Sequence, residues 1–187
     1  MLSDHEFEAY LASHSLTSEA RVLMRCARER GPGVEVTRRG PGASIVRVQS
    51  RKMGGCAIPT TSRTLNGSAA KWHEYDNSVL EYYANVHTFT VDTHDEHNRV
   101  VNRNQHTVNY LVLADEPFLE DWREECHLLA AVKRDCERWV KVGRIYRDEH
   151  DCWHDRELET LSARIGLHHV LRTSRDIPRI ALFGRVF

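Results

Sequence analysis

The sequence predicts an α/β fold in which helices pack around a mixed sheet, and three observations carry that expectation. Short β-branched and aromatic stretches (Val79–Tyr83, Val86–Val91, Thr107–Leu113) read as strands. Elsewhere apolar residues recur at helical spacing, as Leu128, Leu129, Val132 and Cys136 do. Capping residues also stand where helices would begin, at Thr17 or Ser18 and at Asp155. At 187 residues, 41% hydrophobic and 28% charged, the chain is close to one unit of ~150 residues and long enough to bury a core.

The elements follow in order. Phe7, Tyr10 and Leu11 fit one face of a first short helix. A second helix runs from the Thr17/Ser18 cap to about Arg30, where Gly31-Pro32 stops it, with Val22, Leu23, Cys26 and Ala27 expected toward the core. Val34–Thr37 and Ile45–Val48 alternate around Arg39-Gly-Pro-Gly42 and predict a hairpin. Residues 53–65 are rich in Gly, Thr and Ser, and Leu65 to Tyr75 is expected to be helical despite Gly67. The polar turn His94-Asp-Glu-His-Asn98 leads into Val100, Thr107–Leu113 reads as one strand, and Trp122–Cys126 as a shorter one. After the helix through Leu128 and Cys136, Asp155 caps Arg156–Ile165, Gly166 ends it, and His168–Leu171 is a late strand before the short segment Ser174–Ile177. The organisation is read as an extension of helices and hairpin over residues 1–52 and a core over 53–187, without internal repeats.

Composition excludes several classes. The longest apolar runs, such as Leu111–Ala114 and Leu128–Val132, fall far short of the ~20 residues of a membrane span. The opening segment MLSDHEFEAYLASH carries acids and histidines rather than a signal-peptide pattern, so a cytoplasmic location is expected. Cys26, Cys56, Cys126, Cys136 and Cys152 contain no CxxC pair and read as cytosolic thiols. With 26 basic and 27 acidic side chains the formal charge is -1, which removes any argument from an overall basic field. Locally, however, Arg21 to Lys52 holds a basic excess that would neutralise phosphates if its charges share a face; a solvated surface is the competing reading.

Four segments in order, Gln49-Ser-Arg-Lys-Met-Gly54, Val79-Leu-Glu-Tyr-Tyr83, His106-Thr-Val-Asn-Tyr110 and Trp122-Arg-Glu-Glu-Cys-His127, together with the closing Gly166-Leu-His-His-Val-Leu-Arg-Thr-Ser174, resemble the TnsA-like transposon endonucleases. The resemblance runs from about Phe7 to Ile177. It implies a restriction-endonuclease-like core that cuts DNA at transposon ends beside a transposase. The chemistry it implies uses a helical glutamate, a strand-end aspartate and a Glu/Gln-x-Lys unit on the next strand. Carboxylates there hold Mg²⁺, which polarises phosphate and water.

Carried over residue by residue, that site is degenerate. The helical glutamate falls on Asn66 and the aspartate on Asn109, each an amide where a hard cation wants formal negative charge. The lysine falls on His127, and of the expected metal carboxylates only Glu125 survives. The apolar framework around these positions (Val79, Tyr82, Tyr83, Tyr110–Leu113, Trp122) reads as intact, so the expectation is a folded pseudonuclease without a cofactor. Its partners would be DNA, through Arg47, Arg51 and Lys52, or a transposase-like protein, with a homodimer as a further option.

Two other readings compete. Glu74 lies eight residues after Asn66, about two helical turns on, so Glu74, Glu125 and His127 would make a rearranged Mg²⁺ or Mn²⁺ nuclease site; a surface or capping role for Glu74 is the bland alternative. Cys136, His150, Cys152 and His154 are zinc-ligand types, although their spacing matches no compact finger. Cys126-His127 is set aside as a nucleophile pair because neighbours on a strand face opposite ways.

Overall fold

Ser3 opens the first helix, α1 (Asp4–Ser13), with a reciprocal cap: its hydroxyl accepts from the Glu6 amide while the Glu6 carboxylate accepts from the Ser3 amide. Thr17 caps α2 (Ser18–Arg30) by accepting from Ala20 N, and its hydroxyl also donates to the Ile165 carbonyl far along the chain. The computed structural model describes residues 1–31, 46–60, 65–94, 97, 99–138 and 144–177. Among them follow β1 (Val46–Gln49), β2 (Ala57–Thr60), α3 (Asn66–Tyr75), β3 (Glu81–Ala84), β4 (Thr88–His94), β5 (Val100–Thr107), β6 (Tyr110–Leu113) and β7 (Phe118–Arg123). The chain continues through α4 (Glu125–Arg138), β8 (Ile145–Arg147), β9 (Trp153–Asp155), α5 (Arg156–Arg164) and β10 (His168–Thr173).

The central sheet has six strands in the order β3-β6-β7-β10-β9-β8. Only the β7–β10 pair within it is parallel, so the sheet is mixed as the sequence predicts. Two antiparallel ribbons, β1-β2 and β4-β5, stand beside it. Tyr82, Tyr110 and Trp122 share the face covered by α3: the His73, Tyr82 and Tyr110 rings meet edge-on or tilted, and Trp122 meets Trp72 edge-on. On the other face α1 and α2 dock through Phe7, Leu11 and Met24, which are essentially inaccessible. The docking is polar as well: Arg28 reaches the fully buried Glu81 at 2.9 Å, and the Tyr10 hydroxyl donates to the Ala114 carbonyl at 2.8 Å. The N-terminal helices thus share one core with the sheet. Among the described residues no helix is long and apolar enough to cross a membrane.

Several expected elements move. On α2 the buried face is Ala20, Met24 and Ala27, an i, i+4, i+7 row; Val22, expected inside, is 58% exposed. Val34–Thr37, the first arm of the expected hairpin, lies outside the described residues. The second arm pairs with β2 across the Ser50–Gly55 turn, where Gly54 and Gly55 take φ of +66° and +84° that only glycine adopts freely. The single strand expected over Thr107–Leu113 is two: the chain leaves the β4-β5 ribbon at Thr107 and enters the central sheet at Tyr110. Hydrogen bonds from Val108 N to the His87 carbonyl and from Asn85 N to the Asn109 carbonyl fix that crossing. The strand expected over Trp122–Cys126 is instead β7, which starts at Phe118 and ends at Arg123, so that Glu125, Cys126 and His127 are helical.

Asp155 caps α5 as expected by accepting from Leu158 N, and Gly166 follows its end at φ +82°. A side chain at Gly166 would meet Thr17 Cγ2 at 2.4 Å, so the residue serves close packing as well as the turn.

Candidate functional site

Two neighbouring acids on β7, Glu120 and Asp121, are both buried, and strand alternation sends them to opposite faces of the sheet. Burying a carboxylate is costly unless it is paired and hydrogen-bonded. Glu120 Oε1 accepts from Arg172 Nε at 2.6 Å, and Oε2 accepts from Trp122 Nε1 at 2.6 Å. His73 Nε2 approaches Oε2 to 2.8 Å, close enough for a strong charge interaction although poorly aligned for a hydrogen bond. Burial alone would raise the Glu120 pKa, but His73, Arg172 and Trp122 outweigh it and hold the carboxyl below its ordinary value. Arg172 in turn lies over the Trp72 ring, 5.0 Å from its centroid. A hollow of about 90 Å³ between α3 and the sheet borders this group.

On the other face, Asp121 Oδ2 lies 2.7 Å from His106 Nε2 and 2.9 Å from His169 Nε2, while Oδ1 accepts from Asn109 N at 3.1 Å. Burial opposes ionisation here too, yet the hydrogen bonds and charge of His106 and His169 hold Asp121 well below the usual aspartate range.

Asn109 stitches the strands beside these acids. Its side-chain oxygen accepts from Trp122 N at 2.7 Å and its backbone amide donates to Asp121. Asn66 begins α3, is buried, and its carbonyl accepts from the Tyr110 hydroxyl at 2.6 Å. Asn66 thus meets Tyr110 through its backbone carbonyl, and Asn109 precedes Tyr110 in the chain.

Glu125 and His127 do not join them. Both lie in the first turn of α4, where His127 is exposed and Glu125 accepts from Arg175 at 2.8 Å and Arg147 at 3.3 Å. The strand after β6, β7, presents Glu120 and Trp122 instead, two residues apart on the α3 face. Sequence reading missed Glu120, Asp121, His73, His106, His169 and Arg172. Glu120-x-Trp122 has the spacing of a Glu-x-Lys unit and was the available signal, hidden because tryptophan stands in the lysine position.

Glu74, on α3, braces the Ser50–Gly55 turn. It accepts from the Ser50 hydroxyl, from Arg51 N at 2.9 Å and from the Tyr82 hydroxyl at 2.7 Å, contacts that outweigh burial and lower its pKa. Glu74, Glu125 and His127 thus serve separate places, toward the β3 edge and beyond β10. Lys52 bends inward to donate to the Asp76 and Val79 carbonyls, the latter at 2.7 Å, and its partial burial lowers its pKa. Arg47 and Arg51 are exposed on the same ribbon and its turn.

The zinc-type residues do not assemble either. His154 lies 2.6 Å from Glu159 and 3.2 Å from Asp148, and Cys152 is exposed; the Cys136 side chain lies outside what the structure describes. Among the described residues no three His, Cys, Asp or Glu side chains are grouped to hold a metal ion. Comparison with models of known protein families finds no match to this chain, and a search of curated proteins finds none either.

Proposed function

We propose that this protein is a catalytically inactive, TnsA-like component of a transposition or other DNA-processing complex, acting by binding DNA or a transposase-like partner. The observation that supports it best is the state of Glu120. This carboxylate, on the α3 face of the sheet, is buried, accepts from Arg172 and Trp122 and has His73 beside it, so its charge is committed to protein partners and not to a divalent ion. Asn66 and Asn109 add no negative charge, and Trp122, in the lysine position by the Glu-x-Lys spacing, has no amine to orient a nucleophile. An intact framework around a neutralised centre is what a retained binding surface requires.

The DNA-binding version places phosphate contacts at Arg47 and Arg51, which stand exposed while Lys52 holds the turn in place. Its test is cleavage and binding measured together. The native chain is expected to leave supercoiled and linear DNA uncut with Mg²⁺ or Mn²⁺, and to bind DNA with an affinity that falls as salt rises. Arg47→Ala/Arg51→Ala should flatten the log–log salt dependence by about 2 if each arginine neutralises one phosphate. Cutting by the native chain overturns the proposal; absent or salt-independent DNA binding leaves only the protein-partner version. Restoration is expected from Asn66→Glu/Asn109→Asp/Trp122→Lys rather than from any set that uses His127→Lys.

A further inference from the structure

We infer that the open edge of β5 pairs antiparallel with the same edge of a second copy of this chain, joining two β4-β5 ribbons into one four-stranded sheet. Among the described residues β5 pairs with β4 and with no other strand, so its second edge is unpaired. Two contacts give the direction of its backbone groups. Val108 N donates to the His87 carbonyl in continuation of the β4–β5 register, and alternate residues turn the same way, so Asn104 and His106 address β4. The N–H and C=O groups of Arg103, Gln105 and Thr107 therefore point outward. Arg103 N agrees, since its acceptor is the neighbouring Asn102 side-chain oxygen, at 2.9 Å.

Edges of this kind are ordinarily blunted by proline, lysine, a bulge or a covering segment. Residues 102–107 include neither proline nor lysine, and the register shift lies beyond them, where His94 stands opposite Val100. Asn102, Arg103, Asn104 and Gln105 are all exposed. Arg103 is paired with Asp92 inside the ribbon at 2.7 Å, so the strip brings little net charge to an approaching copy. A foreign strand added to an edge draws specificity from pockets for alternate side chains, and residues 102–105, solvated on both faces, form none. A second copy needs no pocket, because it repeats every backbone contact about a two-fold axis.

One register suits that axis. With Gln105 opposite Gln105 of the second copy, Arg103 faces Thr107 and Asn104 faces His106, and all three outward residues pair. Each outward pair exchanges two hydrogen bonds, about six in all. Sliding the copies toward Arg103 brings in the irregularity at Val100 and then sets the two arginines opposite each other, where like charges repel. Sliding them the other way leaves Arg103 with no strand residue opposite.

Sedimentation of the full chain without DNA tests this. The sedimentation coefficient should climb toward that of a dimer between about 10 μM and about 1 mM, as for a small polar interface. Gln105→Pro removes an outward N–H that β4 does not use. By symmetry the dimer loses two hydrogen bonds, so its dissociation constant should rise at least about tenfold while the circular dichroism stays unchanged. Gln105→Cys should link the two copies under mild oxidation, because opposed residues of such a pair have Cα atoms about 5.5 Å apart, within disulfide range. Asn104→Cys, offset from its own counterpart, should not. Mass mapping of non-reduced peptides separates these links from any made by the exposed Cys56, Cys126 and Cys152. Should the proline variant lose its circular dichroism, the contrast between positions 105 and 104 decides alone. A chain that stays monomeric throughout and forms no 105–105 link overturns the inference and leaves the edge to a foreign strand. A dimer undiminished in a folded Gln105→Pro, or a link at 104 in preference to 105, overturns it as well.

Discussion

Glu120 and Glu125 stand on either side of β10 in settings built from the same parts: an acid, an arginine laid over a tryptophan ring, and an indole N–H nearby. In the first setting Trp122 Nε1 turns to the carboxylate and closes the cluster, and the side chain of Glu120 is wholly inaccessible. In the second, Trp153 Nε1 is left without a partner and the Glu125 side chain remains 21% exposed beside an open cavity. The same residue types therefore give a closed knot in which both oxygens of a buried carboxylate accept from neighbouring donors, and a half-open cluster in which a partly exposed carboxylate is shared between two arginines. Burial, more than residue identity, separates the two.

If the first region is a structural knot, removing its acid should be the most damaging change. Glu120→Ala leaves Arg172 and His73 facing a cavity without a counter-charge, and breaking a buried pair in this way costs about 3–5 kcal/mol. Urea denaturation should show a lower midpoint, by this loss divided by an unchanged slope. A loss below about 1 kcal/mol would mean that Glu120 is held open for a ligand, which would turn the comparison around.

Asp121, one residue on and facing the other way, sharpens the contrast through pH. Its folded pKa is depressed, so the stability it contributes is present above the ordinary aspartate pKa of about 3.9 and is lost as pH falls through the lower folded value. The native chain should therefore lose stability more steeply below about pH 4 than Asp121→Asn does. At neutral pH the same variant should be destabilised by about 2 kcal/mol, because its amide nitrogen cannot accept from both histidines. Chemical denaturation at a series of pH values reads both effects.

The difficulty of reading these two acids from the sequence has a physical origin. Glu120-Asp121 interrupts the apolar run that would announce β7, because both faces of the strand are buried and each acid is neutralised by residues distant in the chain: Arg172 and His169 are about 50 positions away. Local pattern sees only an acidic break, and the strand shifts toward Trp122–Cys126. Thr107–Leu113 fails differently, since its β-branched character is continuous while the chain changes sheets at Asn109, a choice made by pairing with His87 and Asn85. Where the deciding contacts are local, as for the Thr17 and Asp155 caps or the Asn66–Tyr75 helix, the sequence is sufficient. The cavity beyond β10 was not legible, because its lining comes from the start of α4 and from strands that the β8–β9, β9–β10 and β7–β10 pairings bring together.

The smallest stability effect is expected at Glu125, and it discriminates best between the two regions. Glu125→Gln removes a charge from a partly exposed, arginine-shared position, so stability should change by no more than about 1 kcal/mol. Arg147 and Arg175 both keep Asp151 within reach, at 2.9 Å and 3.6 Å, so neither is left without a counter-charge, and urea denaturation at neutral pH would show a midpoint close to the native one. A large loss of stability would make Glu125 a second Glu120, and the two sides of β10 would then be alike.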